Sequence, residues 1–177
     1  ALAEEAARNR GMKDVPIIRR STGGGVVFHD GDVTFSLVFP WERICSPCLI
    51  YKNIHRGIHL GLKAQGIPTR LWSPIAKCDT TVPTLEKLCF TAPEPIDLVR
   101  EDGTKVLGGA LRRKGGRGLY QGSLRPEFLG PVEKLESAIA AGVQIEWSRP
   151  IEFSLAGLES FQSLSKRYAS SGWNQRR

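Results

Sequence analysis

Residues 96–124 contain three short segments of strand-forming residues, and two turns separate them. The pattern predicts strands at 96–99, 105–111 and 118–124, with a tight turn at 101–104 and a basic, glycine-rich turn at 112–117. Consecutive strands joined by short turns pair in antiparallel fashion. The sequence therefore predicts an antiparallel meander.

The remaining segments predict helices packed around this sheet. Ile50, Ile54, Ile58 and Leu62 recur at four-residue spacing, which indicates one apolar face of a helix over 50–65. An Asp-Gly pair at 30–31 predicts a hairpin between strands 26–28 and 33–39. We also predict a strand at 15–19, a loop over 73–95, a short strand at 143–147, and helices at 2–11, 131–141 and 154–169. The expected class is α+β, with a mainly antiparallel or mixed sheet and flanking helices.

Length and charge narrow the functional classes. A chain of 177 residues is long enough to form one domain with its own core. The formal net charge of +7 favours an acidic partner. We find no apolar run of about 18 residues and no secretory signal, so neither a membrane partner nor export is expected. Four cysteines are too few for a disulfide scaffold, which favours a reducing, cytoplasmic location.

Several residues carry possible chemistry. Gly23-Gly24-Gly25 can bring backbone N–H groups close to a ligand, or can form a plain turn. Cys45 and Cys48 form a lone C-x-x-C motif, and no second pair at metal spacing follows. His55 and His59 are expected to flank the apolar face or to contact solvent. We therefore predict no metal site.

A second group lies around the meander. Cys89 stands where the long loop meets it. A lysine ammonium such as that of Lys105 favours the reactive thiolate, whereas a single cysteine can also be an inert, buried small hydrophobic residue. Small residues on neighbouring strands, at Gly108, Gly109, Ala110 and Gly122, leave room for a slim ligand or accommodate a close packing contact. The cations at 112–117 indicate a solvated turn or a docking site for an acidic protein.

In order along the chain, five segments resemble the lipoate-protein ligase A and octanoyltransferase family. They are Arg19-Arg20-Ser-Thr-Gly-Gly-Gly-Val-Val-Phe-His29-Asp30, Cys89-Phe90 with Ala92-Pro93, Asp102-Gly-Thr-Lys105-Val-Leu-Gly-Gly-Ala110, Gln121-Gly-Ser-Leu124, and Lys166-Arg-Tyr-Ala-Ser-Ser-Gly-Trp-Asn174. The resemblance covers about residues 1–125 and 150–175. It implies a fold related to biotin-protein ligase catalytic domains, in a single catalytic domain over 1–177 that lacks part of the family's N-terminal portion.

The resemblance also implies residue roles. Cys89 matches the nucleophile of the cysteine-containing octanoyltransferases, and Lys105 matches the lysine that contacts the acyl carbonyl. The implied substrate-binding residues are Arg20, Gly23, Gly24, Gly25, Val26, Val27, Phe28, His29, Gly108, Gly109, Ala110, Gln121 and Gly122.

The implied activity is acyl transfer in protein lipoylation. Cys89 would take an octanoyl or lipoyl group from acyl carrier protein as a thioester and pass it to a lysine of a lipoyl-domain protein, such as the E2 subunits of 2-oxoacid dehydrogenases or the H protein of glycine cleavage.

No cofactor is expected. The alternatives are an ATP- and Mg²⁺-dependent lipoate ligase that forms lipoyl-AMP, a lipoyl amidotransferase between lipoyl-domain proteins, and a non-catalytic basic binding module. Nucleic acid is not an expected partner.

Overall fold

The computed structural model describes residues 2–12, 14–41, 45–73, 93–146, 166 and 170–174. The chain divides into two compact units. The smaller unit joins Ala1–Ser21 to Pro150–Arg177, and the larger unit comprises Thr22–Arg149. The sequence expectation of one catalytic domain over 1–177 stays a prediction.

A five-stranded antiparallel sheet forms the centre of the larger unit. Its strands are β1 (Val33–Pro40), β2 (Arg70–Leu71), β3 (Leu98–Val99), β4 (Lys105–Lys114) and β5 (Arg117–Leu124). Their order across the sheet is β1-β5-β4-β3-β2. The predicted meander, β3 to β5, is confirmed, and so is the α+β class.

The turn between β4 and β5 is shorter than predicted. Only Gly115 and Gly116 form it, with φ angles of +56° and +73°, and Lys114 pairs directly with Arg117. A two-residue hairpin turn with both φ values positive matches the twist of the flanking strands and favours glycine. The predicted six-residue basic turn is therefore wrong at its ends, because the cations at 112–114 and 117 belong to the strands.

Two strands predicted before residue 33 are absent from the described residues. Residues 26–28 form no strand, and β1 instead pairs with β5 along its full length, from Val33 opposite Leu124 to Pro40 opposite Arg117. Residues 15–19 are also not a strand, and Ile18 is 74% exposed. Apolar β-branched residues favour a strand only where a paired neighbour and a packed face are supplied. The predicted hairpin at 26–39 is therefore wrong.

Helices cover one face of the sheet, and two further short helices belong to the smaller unit. They are α1 (Leu2–Asn9), α2 (Pro47–Ala64), a 3₁₀ turn (Pro126–Phe128), α3 (Val132–Glu146) and α4 (Ser171–Asn174). The side chain of Ser46 caps α2 by accepting a hydrogen bond from the Leu49 N–H at 3.2 Å. Helix α3 continues where a strand was predicted at 143–147, because Val143 packs into the core as part of the helix. The predicted helix 154–169 lies outside the described residues apart from Lys166, as does most of the predicted loop 73–95.

The core lies between the sheet and the pair α2 and α3. Both helices carry small residues where they meet. A β-carbon on Gly61 would overlap the carbonyl oxygen of Ala138, and one on Gly142 would overlap that of Gly57. The obstacle is backbone in both cases and cannot rotate away. The two helix backbones therefore approach closely because these positions lack side chains.

We expect Gly61→Ala to destabilise the protein although alanine is the better helix former. Helix propensity alone would favour alanine by about 1 kcal/mol, but overpacking against a backbone carbonyl costs about 1–3 kcal/mol. Gly172→Ala in α4 is the matched control, because a β-carbon placed on Gly172 would have no atom within 4 Å. Chemical denaturation measures both variants, and a Gly61→Ala protein as stable as the wild type would contradict the close packing.

Candidate active site

Alternation along β5 separates two groups of side chains. Tyr120 and Leu124 are fully buried in the core beneath α2. Gln121 and Ser123 lie between them in sequence and so point to the opposite face. We call the face of Tyr120 the α2 face and the face of Gln121 and Ser123 the loop face.

The segment 22–32 is attached to the loop face at both ends. At its start, the Thr22 hydroxyl donates a hydrogen bond to Gln121 Oε1 at 2.8 Å. At its end, the Asp32 carboxylate accepts one from the Ser123 hydroxyl. The same carboxylate binds His29 Nδ1 at 2.7 Å and the backbone N–H of Asp30 at 3.0 Å. The glycine-rich segment is thus fixed to two positions of one strand.

The environment of Asp32 keeps its carboxylate charged. Burial acts to raise the pKa of Asp32, but the hydrogen bonds from Ser123 and His29 and the nearby His29 ring outweigh burial and hold that pKa below its usual value. The side chain of Asp32 is 7% exposed and that of His29 is 53% exposed. A buried carboxylate with several donors is a strong acceptor for all of them.

Small residues of β4 lie directly opposite the two attachment points. Gly108 pairs with Ser123, and Ala110 pairs with Gln121. Paired residues share a face, so both small residues belong to the loop face, and both are buried. Within the segment itself, Gly24 has a φ of +102°, which side-chain-bearing residues rarely adopt.

On the α2 face, Lys105 forms a buried ion pair with Asp97. Lys105 Nζ lies 2.7 Å from Asp97 Oδ2, and the two side chains are 7% and 9% exposed. Asp97 Oδ2 also accepts a hydrogen bond from the backbone N–H of Glu94 at 2.8 Å. The carboxylate therefore fixes the position of the ammonium that the sequence singled out.

His55 of α2 completes the α2-face group. Its Nδ1 lies 2.7 Å from the carbonyl oxygen of Ile96, and its Nε2 lies 2.7 Å from the Tyr120 hydroxyl. A carbonyl only accepts, so Nδ1 carries the proton and Nε2 accepts from Tyr120. His55 flanks the apolar face as predicted, but it is buried, and the solvent-facing alternative is wrong. His59 is half-buried and bonds Thr69 Oγ1 at 3.0 Å.

Burial holds both partners of this contact in their neutral forms. It lowers the pKa of His55 and raises the pKa of Tyr120 well above its ordinary value. Ile96, next to Asp97, has a φ of +77°, an unfavourable angle for a β-branched residue. Backbone strain of this kind often accompanies functional sites.

We expect acid to destabilise the protein through His55. The unfolded state takes up a proton below about pH 6.5, whereas folded His55 resists protonation because its pKa is lowered. Stability from this group is thus present above pH 6.5 and is lost as the pH falls toward the folded pKa, with a slope of up to about 1.4 kcal/mol per pH unit. Urea denaturation between pH 7.5 and 5 should show a flatter profile for His55→Gln than for the wild type. His59→Gln is the comparison: burial and Lys63 also lower the pKa of His59, but this ring is only half-buried, so we expect a smaller flattening than in His55→Gln. Equal slopes in wild type and His55→Gln would contradict this assignment.

Gly109 and Gly122 accommodate aromatic rings on the α2 face. They pair across β4 and β5, and a β-carbon on either would overlap the Tyr120 ring, with Phe35 also in the way at Gly122. The Tyr51 hydroxyl donates to the Gly109 carbonyl at 3.2 Å. Close packing against aromatic rings therefore explains why both positions are glycine. A role of these two residues in binding a substrate stays a prediction.

Cys89 and Arg20 are not among the described residues of the larger unit. Cys89 is outside the described residues, and Arg20 belongs to the smaller unit, where Trp173 Nε1 donates to the Arg19 carbonyl at 2.8 Å. Cys45 and Cys48 are exposed free thiols. Among the described residues, no group of three His, Cys, Asp or Glu side chains could hold a metal ion. The expectation of no metal site stays a prediction.

The far end of β4 carries the basic hairpin. Arg113 lies over the ring of Trp41, 5.7 Å from its centroid, and donates to the Trp41 carbonyl at 3.3 Å. A cavity of about 310 Å³ lies beside the turn and is lined by Val38, Phe39, Pro40, Gly115, Gly116 and Arg117. Lys105 stands at the opposite end of the same strand, so this cavity is not part of either group described above. No helix in the described part of the chain is both long and apolar enough to span a membrane.

Sequence reasoning missed the partners of the predicted residues, namely Thr22, Asp32, His55, Asp97, Tyr120 and Ser123. One signal was available for Asp97, which interrupts the apolar run Ile96-Asp97-Leu98-Val99. A carboxylate within a predicted buried strand requires a donor or a cation, and Lys105 opens the next strand. Ser123 belongs to the Gln121-Gly-Ser-Leu124 segment of the family resemblance, but nothing in the sequence indicates its bond to Asp32, and no comparable signal marks Tyr120.

Several solved structures that share this fold are named as lipoate protein ligases. The chain matches a lipoate-protein ligase A bound with ATP with a TM-score of 0.65 and 18% identity, over 97% of this chain and 75% of that one. It matches the bi-partite lipoate protein ligase of Thermoplasma acidophilum with a TM-score of 0.65 and 16% identity, over 97% and 73%. At these identities the likeness shows the fold, which confirms the predicted ligase-like architecture.

The family described as the lipoyl protein ligase A/B catalytic domain matches residues 2–149. This chain therefore belongs to that family.

Curated relatives are octanoyltransferases called LipM. That of Exiguobacterium sp. is 30% identical over 63% of this chain and 42% of the relative, and that of Staphylococcus epidermidis is 26% identical over 93% and 76%. The LipM protein of Moorella thermoacetica is 32% identical over 68% of this chain and 43% of its own length. The chain thus matches less than half the length of two of these relatives.

Proposed function

We propose that this protein transfers an octanoyl or lipoyl group to a lysine of a lipoyl-domain protein. The observation that carries the proposal is the match of residues 2–149 to the lipoyl protein ligase A/B catalytic domain, together with relatives named octanoyltransferase. A cysteine at position 89 favours transfer through a thioester over the use of ATP.

The proposed reaction has two acyl-transfer steps. The Cys89 thiolate attacks the thioester carbonyl of octanoyl acyl carrier protein, and the carrier thiolate leaves and takes up a proton. The neutral amine of the acceptor lysine then attacks the Cys89 thioester, an amide forms, and the proton of the amine passes to the departing Cys89 sulfur. Both steps develop negative charge on the acyl oxygen, which hydrogen-bond donors stabilise.

Lys105 is proposed to donate one such hydrogen bond and to favour the Cys89 thiolate. Its buried ion pair with Asp97 holds the ammonium at a fixed point at the beginning of β4. Cys89 precedes Glu94 by five residues, and Glu94 bonds the same carboxylate. This short separation along the sequence supports the proposed contact between the Cys89 sulfur and the Lys105 ammonium.

The glycine segment is proposed to cover the acyl chain. Gly108 and Ala110 supply a floor without large side chains on the loop face, and Lys105 begins the strand that carries them. In this arrangement the hydrocarbon chain lies over Gly108 and Ala110 on the loop face. The acyl carbonyl extends beyond the first residue of β4 and meets the Lys105 side chain there. The backbone N–H groups of Gly23–Gly25 are candidates for a second set of donors to the acyl oxygen.

Charge is proposed to guide the protein substrates. Acyl carrier protein and lipoyl domains are expected to be acidic, and the formal charge of this chain is +7. Opposite net charges raise association rates at low salt. The exposed cations of the β4–β5 hairpin, at 112–114 and 117, contribute to this field.

The proposal is tested by supplying octanoyl acyl carrier protein and an apo lipoyl domain without ATP. We expect octanoylation of one lysine of the lipoyl domain, detected as a mass increase. Pyrophosphate release from ATP and lipoate, with no transfer from the carrier, would instead show a ligase. Transfer only from an acylated lipoyl-domain protein would show an amidotransferase, and salt-sensitive binding without acylation would show a binding module.

A further inference from the structure

The segment 22–32 is attached to one strand, β5, at both of its ends. We call this segment the arch, and we call its two attached residues, Thr22 and Asp32, its feet. Thr22 binds Gln121, and Asp32 binds Ser123. Gln121 and Ser123 are two residues apart on β5, so the feet are separated by about 7 Å. The nine residues between the feet are far too many for that span and must rise away from the sheet.

The space under the arch is bounded by the small residues of the loop face. Gly108 lies opposite Ser123 and Ala110 lies opposite Gln121, so the residues beside both feet carry little or no side chain. Within the arch, Gly23 to Gly25 are exposed, whereas Val26 to Phe28 are half-buried. The arch therefore contributes partly buried apolar side chains as well as exposed glycines.

The Asp32 carboxylate does more than attach one end of the arch to the sheet. Its carboxylate accepts from a strand hydroxyl, from the His29 ring and from the Asp30 backbone. Because the carboxylate is buried and accepts all three bonds, it joins the sheet, the arch and the turn that leads into β1. Removing its charge weakens three contacts at once, whereas removing the charge of exposed Asp30 weakens none of them.

We propose that Asp32, with Thr22 at the other foot, is the positioning residue that holds the glycine segment over the acyl group. This inference rests on the function proposed above and adds to it a set of residues that act through the segment. Asp32 is not a catalytic residue, since it touches Ser123, His29 and Asp30 rather than the acyl group.

The first test measures the arch in the free protein, without substrate. In Asp32→Asn we expect amide hydrogen exchange over 23–30, which includes the Asp30 N–H bonded to this carboxylate, to accelerate roughly tenfold or more, which is the effect of losing one charge-assisted contact. Asp30→Asn is the matched control and should exchange like the wild type. Unchanged exchange in Asp32→Asn would overturn the proposal.

The second test connects the arch to substrate. With octanoyl acyl carrier protein as the varied substrate, Asp32→Asn should raise KM roughly tenfold and change kcat less than about threefold. If hydrogen exchange in the arch becomes faster but KM is unchanged, the hydrogen bonds of Asp32 have a structural role only. Calorimetric titration with octanoyl-pantetheine needs no turnover, and its affinity should fall by the same factor. Because exchange and affinity are measured without the transfer reaction, they decide the role of Asp32 even where the proposed reaction fails.

Two conservative substitutions of Thr22, the other foot, keep the proposal testable if Asp32→Asn does not fold. Thr22→Val keeps the shape and removes the hydroxyl, whereas Thr22→Ser keeps the hydroxyl. We expect Thr22→Val to show the faster exchange and weaker octanoyl-pantetheine binding, and Thr22→Ser to restore both. Equal behaviour of the two variants would contradict the role of this foot.

Discussion

Cys89→Ala is expected to lower the rate of octanoyl transfer from acyl carrier protein by roughly 10³-fold or more. Removing a covalent nucleophile eliminates both steps of the proposed route and leaves only the catalysis that binding and hydrogen-bond donors provide. The measurement is the initial rate of lipoyl-domain octanoylation with all substrates saturating. Because alanine is only slightly smaller than cysteine, the fold should tolerate the change.

Cys78→Ala is the matched control for this experiment. Cys78 lies eleven residues earlier in the same segment of the sequence, and it has no part in the proposed reaction. We expect it to retain the wild-type rate. A Cys89→Ala protein that turns over normally would remove covalent catalysis at this position, and the ATP-dependent route would then be examined through pyrophosphate release.

Lys105→Met is expected to abolish transfer and to lower the free energy of unfolding by about 3–5 kcal/mol. Methionine keeps much of the side-chain volume but removes the ammonium, and the Asp97 carboxylate is left buried without its cation. A buried charge that loses its partner costs far more than the pair contributes. Denaturant unfolding and the octanoylation assay measure the two effects separately.

The double variant Lys105→Met with Asp97→Leu distinguishes stability from activity. Replacing both charges removes the unpaired carboxylate, so we expect most of the lost stability to return. The transfer rate should stay low because the acyl oxygen still lacks its donor. A stable double variant with wild-type activity would show that chemistry takes place on the loop face without Lys105.

The sheet was the part of the fold that sequence reasoning predicted best. Local information suffices for the meander, because short turns leave consecutive strands little choice of partner. Strand β1 was harder, since its partner β5 lies more than 75 residues further along the chain. The Asp-Gly pair at 30–31 suggested a local hairpin, and only the packing of Phe35 and Leu37 against the core decides between the two partners.

The candidate site shows the same division between local and long-range information. Glycine-rich and lysine-containing motifs mark residues 23–25 and 105, because their residue types are unusual in regular structure. Their partners are ordinary residues brought in from elsewhere, such as Asp97 beside Lys105 or Ser123 beside Asp32. Strand alternation assigns these pairs to different faces of the sheet, and no motif in the sequence indicates that separation.

The central claim is that acyl transfer passes through a thioester on Cys89, and intact-mass spectrometry tests it most directly. The protein is incubated with octanoyl acyl carrier protein without an acceptor, and the product is digested and mapped. We predict a mass increase of one octanoyl group, removable by neutral hydroxylamine and located on the peptide that contains Cys89. No adduct in the wild type under conditions where transfer to the lipoyl domain proceeds, or an adduct that persists in Cys89→Ala, would contradict the account.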